Sequence, residues 1–296
     1  MKKVLSIEIP NDFNFRNTVY SHGWSELLPF ELDKETWRLR YVFFEPSNET
    51  SVSASIYQDG EKLIVEIDGN DADADFDRKI ISDIRHILSL DEVLSNFYEL
   101  IGGNQDLSWI CEANAGRLIR SPTVFEDLVK TICTTNCSWG LTQSMTANLV
   151  ENLGVAAADG RKAFPTAKAM AEQTDEFYRK EIRAGYRSGY FVELAESVAS
   201  GKIDPESWRD SKLPTSELKK EMKRIKGVGN YAAENLLKLV GRFDGLALDS
   251  FLRSEFYKKY NAGIECPDNV IESFYQQFGD YRGLAIWFDM TKRWFD

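Results

Sequence analysis

The spacing of apolar residues changes once along this chain, near Asp77, and that change decides the class of fold. Before it, TWRLRYVFFEP (36–46), SVSASIYQDG (51–60) and KLIVEIDGN (62–70) are short alternating runs, β-branched or aromatic, that end in Pro, Asp-Gly or Gly-Asn. That is the pattern of strands closed by turns, and it predicts a small antiparallel sheet. After it the period becomes three and four. Ile80, Ile84, Ile87 and Leu88 fall on one stripe and Leu90, Leu94 and Phe97 on another, as amphipathic helices require. Ser121-Pro122 reads as an N-cap followed by Pro at the first helical position, with Phe125, Leu128 and Ile132 on the buried face. Further helices are predicted over about 139–153, 166–173, 175–184, 188–200, 215–224, 230–240, 250–260, 268–277 and 280–295. The expectation is an α+β chain. An antiparallel β domain occupies 1–80 and a two-lobed helical region 81–296, in which 81–120 and the C-terminal helices pack with the lobes.

Charge narrows the partners less than its total suggests. Lys and Arg number 36 against 47 Asp and Glu, a net −11 that argues against a polyanionic partner. Phosphate binding depends on local clusters, and two exist: ELKKEMKRIK (217–226) and RKEIRAGYR (179–187). The acids of DADADFD (71–77) resemble the start of a calcium loop, but Phe76 stands where such a loop needs Gly, and a solvated acidic linker is the expectation. No run approaches the length of a membrane span and the opening MKKVLSIEIPNDFNF turns polar early, so a cytoplasmic protein is expected. Four cysteines and two histidines make a structural zinc site improbable; Cys133 and Cys137, four apart, read as small buried hydrophobes on one helix.

The segment richest in chemistry is MKRIKGVGNYAAENLLKLVGRFDGLALDSFLR (222–253). It reads as a helix, a tight turn at Lys226-Gly227-Val228-Gly229, and a second helix that Asn230 could cap. Paired glycines let the backbone turn sharply and clear side chains from a ligand's path. A turn of this kind opening a helix aims free amides at one spot, which suits a phosphate oxygen. An ordinary helix–helix turn has the same letters, so the neighbours decide.

Those neighbours resemble the helix-hairpin-helix base-excision DNA glycosylases. The hairpin IKGVGNYAAEN (about 215–240 with its helices) and LALDSF, with its Asp some twenty residues on, match the family's signature element and catalytic aspartate. GRLIRSPTVFEDLVKTICTTN (116–136), Phe164-Pro165, GYRSGY (185–190) and LDEVLSNFY are similar in particular to the 8-oxoguanine branch, so the resemblance spans about 85–295 and places the chain nearest the 8-oxoguanine and 3-methyladenine II glycosylases. It implies an enzyme of base excision repair that hydrolyses the N-glycosidic bond of an oxidised or alkylated purine. Asp249 would stabilise the oxocarbenium charge at the sugar and orient water; as the residue before Ser250 it also reads as a plain N-cap.

In relatives that also cut the strand a lysine follows the hairpin turn. Here that position is Tyr231, and a phenol forms no imine, so a monofunctional enzyme is expected. Tyr231, Trp139, Trp287 and Phe288 are candidate base-pocket walls, each equally readable as core. Extruding a nucleotide leaves a gap. The resemblance assigns Asn136 to fill it and Tyr186 to wedge beside the partner base, with Arg187 bonding the orphaned base or a phosphate. Lys226, Gly227, Val228, Gly229 and Asn230 would meet the DNA backbone. Beyond Asp249 only Cys266 remains, so no iron–sulfur cluster can be built there. No cofactor is expected beyond a monovalent cation that the resemblance implies at the hairpin's carbonyls. The expected partner is damaged double-stranded DNA, without a membrane, and the chain is expected to be a monomer. Two alternatives stay open: an alkylpurine rather than an oxidised-purine specificity, and a non-catalytic protein that keeps the hairpin to bind DNA.

Overall fold

The computed structural model describes residues 2–68 and 74–295. The chain forms two compact units, one from Met1–Asp91 with Arg117–Ser207, the other from Glu92–Gly116 with Trp208–Asp296. The sheet region expected over 1–80 thus shares a unit with helices more than a hundred residues away.

In the first unit β1 (Lys2–Glu8) leads to a short helix α1 (Phe15–Val19), then β2 (Glu31–Asp33), β3 (Arg38–Glu45), β4 (Thr50–Asp59), β5 (Lys62–Asp68) and helix α2 (Ala74–Ile87). All neighbours are antiparallel, in the order β1-β5-β4-β3-β2. The alternating runs became β3, β4 and β5; β1, KKVLSIE, lies outside those runs and pairs Leu5 with Val65 at the end of the sheet. Leu63, Val65 and Ile67 are buried while Ile64 and Glu66 between them are not, the period of two that puts one face inward. In β3, Tyr41, Val42 and Phe43 are all buried, because Val42 meets Ala157 and Ala163 on the opposite face. Of the alternating acids, Asp75 and Asp77 lie in the first turn of α2, where the helix dipole favours them, and Asp77 pairs with Lys3. Phe76 is core rather than linker. Asp71 and Asp73, like the Gly-Asn turn at 69–70, fall outside the described residues.

The chain then contributes α3 (Ser95–Ile101) and α4 (Ser108–Glu112) to the second unit and returns for α5 (Val124–Thr134), α6 (Trp139–Leu153), α7 (Ala167–Ala171), α8 (Asp175–Lys180) and α9 (Ser188–Ala199). The cap of α5 is Thr123, whose hydroxyl accepts the Glu126 N–H, and not Ser121; Ser121 and Pro122 lie before the helix, and Glu206 accepts the Val124 and Phe125 amides at 3.0 Å. Every residue from Val124 to Cys133 is buried, so α5 has no solvated face and its charges come inside. Glu126 accepts from Tyr41 and from Lys130, each at 2.6 Å, and Asp127 accepts from the Trp24 indole at 2.7 Å and the Ser121 amide at 2.9 Å. Glu126 and Lys130 thus form an ion pair inside the protein and Asp127 is hydrogen-bonded, as buried polar groups require. Cys133 is buried on α5, but Cys137 lies past its end, with Sγ on the Cys133 carbonyl at 3.0 Å, so the two do not share a helix.

The second unit is completed by α10 (Thr215–Met222), α11 (Asn230–Leu239), α12 (Ser250–Tyr260), α13 (Asp268–Tyr275) and α14 (Arg282–Thr291). Its core is the apolar side of α14, from Leu284 to Met290, with Leu236 and Leu237 of α11, Phe256 of α12 and Ile271 of α13. Gly283 lets the start of α14 touch the chain after α11: a Cβ there would lie 2.2 Å from the Gly245 carbonyl oxygen, and the Gly283 amide donates to Phe243 at 2.7 Å. That contact holds the loop leading to Asp249. Among the described residues no helix is long and apolar enough to cross a membrane.

Candidate active site

The helix–turn–helix expected at about 215–240 is α10, a turn and α11. Gly227 sits at φ +90°, in the region that L side chains avoid, and the Val228 amide closes the turn on Ile225 at 3.1 Å while its side chain is buried. The cap of α11 is Gly229, not Asn230; with no side chain, Gly229 offers the first amides no acceptor of its own. Asn230 is the first helical residue and its side-chain oxygen accepts from Lys223 at 2.7 Å. The basic run divides. Lys219 pairs with Glu234 and Lys220 with Glu217 on the surface, while Lys226, at the turn, is exposed.

Asp249 is the N-cap of α12, as the alternative reading of DSFLR anticipated. Its Oδ1 accepts the Leu252 amide at 2.8 Å, and its Oδ2 accepts no hydrogen bond from the described residues. One carboxylate can therefore cap a helix with one oxygen and keep the other for chemistry. The carbonyl of Leu248 is held by Arg253 at 3.3 Å, and Arg253 is itself fixed by Asp268 at 2.7 and 2.8 Å, a bond that raises the guanidinium's pKa.

Half-buried aromatic rings accompany Asp249 in the same unit. Phe251, in the first turn of α12, lies 5.6 Å from Trp294, and Trp287 meets Trp294 edge to face at 5.6 Å. Trp287 was expected and Trp294 was not, although their seven-residue separation places both on one side of a helical turn. Phe288, one position from Trp287, is fully buried against Trp109 and Phe295, because adjacent helical positions point about 100° apart. Tyr231 is half-buried in the first turn of α11. Trp139 belongs to the first unit, where its ring covers Gly23, its indole donates to Glu26 at 3.0 Å and 37% of it is exposed.

Also in the first unit, three residues separated by fifty positions come together. Asn136 is exposed just past α5 at φ +48°, a conformation Asn adopts more readily than other side chains. Tyr186, 50% exposed, donates to the Thr135 carbonyl at 3.3 Å. Arg187 departs from expectation. It is 3% exposed, donates to the carbonyls of Ile132 at 3.1 Å and of Thr135, and stacks on Tyr186 at 4.5 Å. Its guanidinium is taken up by two carbonyls at the end of α5, of which Thr135 immediately precedes Asn136.

Among the described residues no group of three or more His, Cys, Asp or Glu could hold a metal ion. No protein-family model matches the sequence, and no curated protein matches it. Solved structures do. The 3-methyladenine DNA glycosylase from Archaeoglobus fulgidus superposes with a TM-score of 0.77 at 20% identity, covering 99% of each chain. MBOgg1, solved with a low-affinity DNA ligand, gives 0.76 at 20% identity over 100% of this chain and 96% of its own. The 8-oxoguanine glycosylase/lyase of Clostridium acetobutylicum gives 0.74 at 15% identity over 98% and 97%. The chain has their fold from end to end: an amino-terminal antiparallel sheet followed by a helical body.

Proposed function

We propose that this chain is a DNA glycosylase that removes a damaged purine, oxidised or alkylated, from duplex DNA and leaves an abasic site. The observation that carries the reading is the pairing, in one unit, of a glycine turn opening α11 with a carboxylate whose free oxygen stands at the head of α12. Solved proteins of the same fold include a 3-methyladenine glycosylase and an 8-oxoguanine glycosylase/lyase, and one of them was solved with a DNA ligand.

In this reading the turn from Lys226 to Asn230 takes a backbone phosphate on the first amides of α11, with Lys226 adding charge. Carbonyl oxygens of the same turn, hard neutral donors, would hold a monovalent cation that offsets the phosphate charge. The target nucleotide leaves the stack, Asn136 occupies the vacated space and Tyr186 packs beside the partner base. Arg187 keeps both in place. Half-buried rings of Tyr231, Phe251, Trp287 and Trp294 offer π-faces to the everted purine.

Cleavage breaks the bond between the sugar's anomeric carbon and the base nitrogen, and the electron pair leaves with the base. Positive charge builds at the anomeric carbon, where the free Oδ2 of Asp249 stabilises it and orients the incoming water. Water's oxygen bonds to that carbon and its proton passes to solvent or the departing base. No imine forms, because Tyr231 stands where a Schiff-base lysine would.

The test is a panel of duplexes carrying single oxidised or alkylated purines, scored for base release and then treated with borohydride. Release from at least one lesion without a covalent adduct is expected. Duplex binding with no release from any lesion would make the chain a DNA-binding protein, and a trapped adduct would overturn the monofunctional mechanism.

A further inference from the structure

Two charged side chains one turn apart on α11 hold the two ends of a single peptide group. Glu234 accepts the Ala247 amide on Oε2 at 2.6 Å, and Lys238 donates from Nζ to the Leu246 carbonyl at 3.0 Å. That carbonyl and that amide belong to the same peptide bond. Positions four apart share a helix face, so α11 presents an acceptor and a donor at the spacing one peptide needs. The other oxygen of Glu234 pairs with Lys219 on α10, so the charge chain runs from the first helix of the hairpin, through the second, to the strap that carries Asp249 two residues on.

The strap is shaped for this grip. A Cβ on Gly245 would lie 2.9 Å from Glu234 Cγ, so glycine lets the backbone settle on the carboxylate. Ala247 is held at φ +53°, where an alanine is strained, and is 1% exposed. Lys238 is 3% exposed, and burial pushes its amine down to about 8 against the pull of the Glu234 and Asp249 carboxylates. Packing alone does not require a buried amine here, because an apolar side chain of that volume would pack α11 at no desolvation cost.

We infer that Glu234 and Lys238 are positioning residues for Asp249: by gripping the Leu246–Ala247 peptide they set where the carboxylate stands relative to the hairpin turn. The inference rests on Asp249 being the catalytic carboxylate of the proposed glycosylase. A rigid link of this kind transmits the register in which the turn grips DNA to the atom that must meet the sugar, and displacement of a reacting group by about 1 Å can cost about a hundredfold in rate.

The experiment compares the whole chain with Glu234→Leu, Lys238→Met, the double variant and Glu234→Gln, which keeps an oxygen to accept the Ala247 amide. Each is measured for single-turnover base release, for duplex affinity and for hydrogen exchange at the Ala247 amide. Glu234→Leu and Lys238→Met are each expected to slow release about ten- to a hundredfold with duplex affinity within about twofold. The double variant should be little slower than the worse single one, since both grip the same peptide, and Glu234→Gln should recover most of the rate. Exchange at Ala247 should rise about tenfold in Glu234→Leu, the equivalent of one lost hydrogen bond. Rates close to wild type, losses that multiply, or affinity falling in step with rate would overturn the inference. If the wild-type chain releases no base from any lesion, the functional reading fails by itself, while unchanged Ala247 exchange would still refute the grip.

Discussion

Replacing Asp249 by Asn and by Ala separates the cap that its carboxylate forms from the catalytic task proposed for it. The Leu252 amide is accepted by Oδ1 at 2.8 Å, and an asparagine carbonyl can accept it from the same position. Asparagine and aspartate are comparable caps, whereas alanine forfeits about 1 kcal/mol. Both substitutions withdraw one of the two carboxylates facing Lys238, so that cost is common to them and cancels in the comparison. Asp249→Ala should therefore be less stable than Asp249→Asn by about 1 kcal/mol, or about 1.5–2 °C in Tm for a chain of this size. The catalytic task responds differently, because both variants lack the negative oxygen. Losing one preorganised group that faces developing charge costs about 3–4 kcal/mol, which is about a hundred- to a thousandfold in rate. Single-turnover base release on the lesion chosen from the panel, thermal melts and duplex binding together make the assay. Both variants should lose release alike and keep duplex binding, with only Ala losing the extra stability. Release in Asp249→Asn at the wild-type rate would remove the residue from the mechanism. A rate graded with Tm, Asn well above Ala, would mean that the carboxylate matters only as a cap.

Two further measurements address other parts of the molecule. Burial of Asp127 pushes its carboxyl up to about 7 from 3.8, against the opposing hydrogen bonds of Trp24 and Ser121 and the charge of Lys130. The folded state then holds a proton that the unfolded chain releases. Its contribution is complete below about pH 4 and is lost as pH rises toward 7, by up to about 4 kcal/mol. Asp127→Asn should flatten that fall in urea-melt stability between pH 4 and 7, and an unchanged difference between the two ends would refute it. Lys226→Ala should weaken duplex binding and reduce the slope of log affinity against log salt by about 0.9, one phosphate contact; an unaltered slope would take Lys226 off the backbone.

Part of this protein was legible one segment at a time. Three strands, the long helices from Trp139 onward and the hairpin were readable because period, turn chemistry and caps are set by residues a few positions apart. The capping role of Asp249 was legible for the same reason: a cap is recognised from the residues that follow it. Where a side chain points, and what it is spent on, was decided elsewhere. Arg187 looked available until the carbonyls at the end of α5, more than fifty residues earlier, took up its guanidinium. Trp287 and Phe288 are neighbours in sequence, yet one is half-buried and the other core, because helix α14 turns between them. Helix α5 carries Glu126, Asp127 and Lys130 into the interior since Tyr41 and Trp24 arrive from the sheet region to meet them. Local pattern determines which elements form, because propensity and capping act within a turn or two. Which charges are buried, and which peptide they hold, follows only from long-range packing, because desolvation and pairing depend on the groups that the fold brings within a few ångströms.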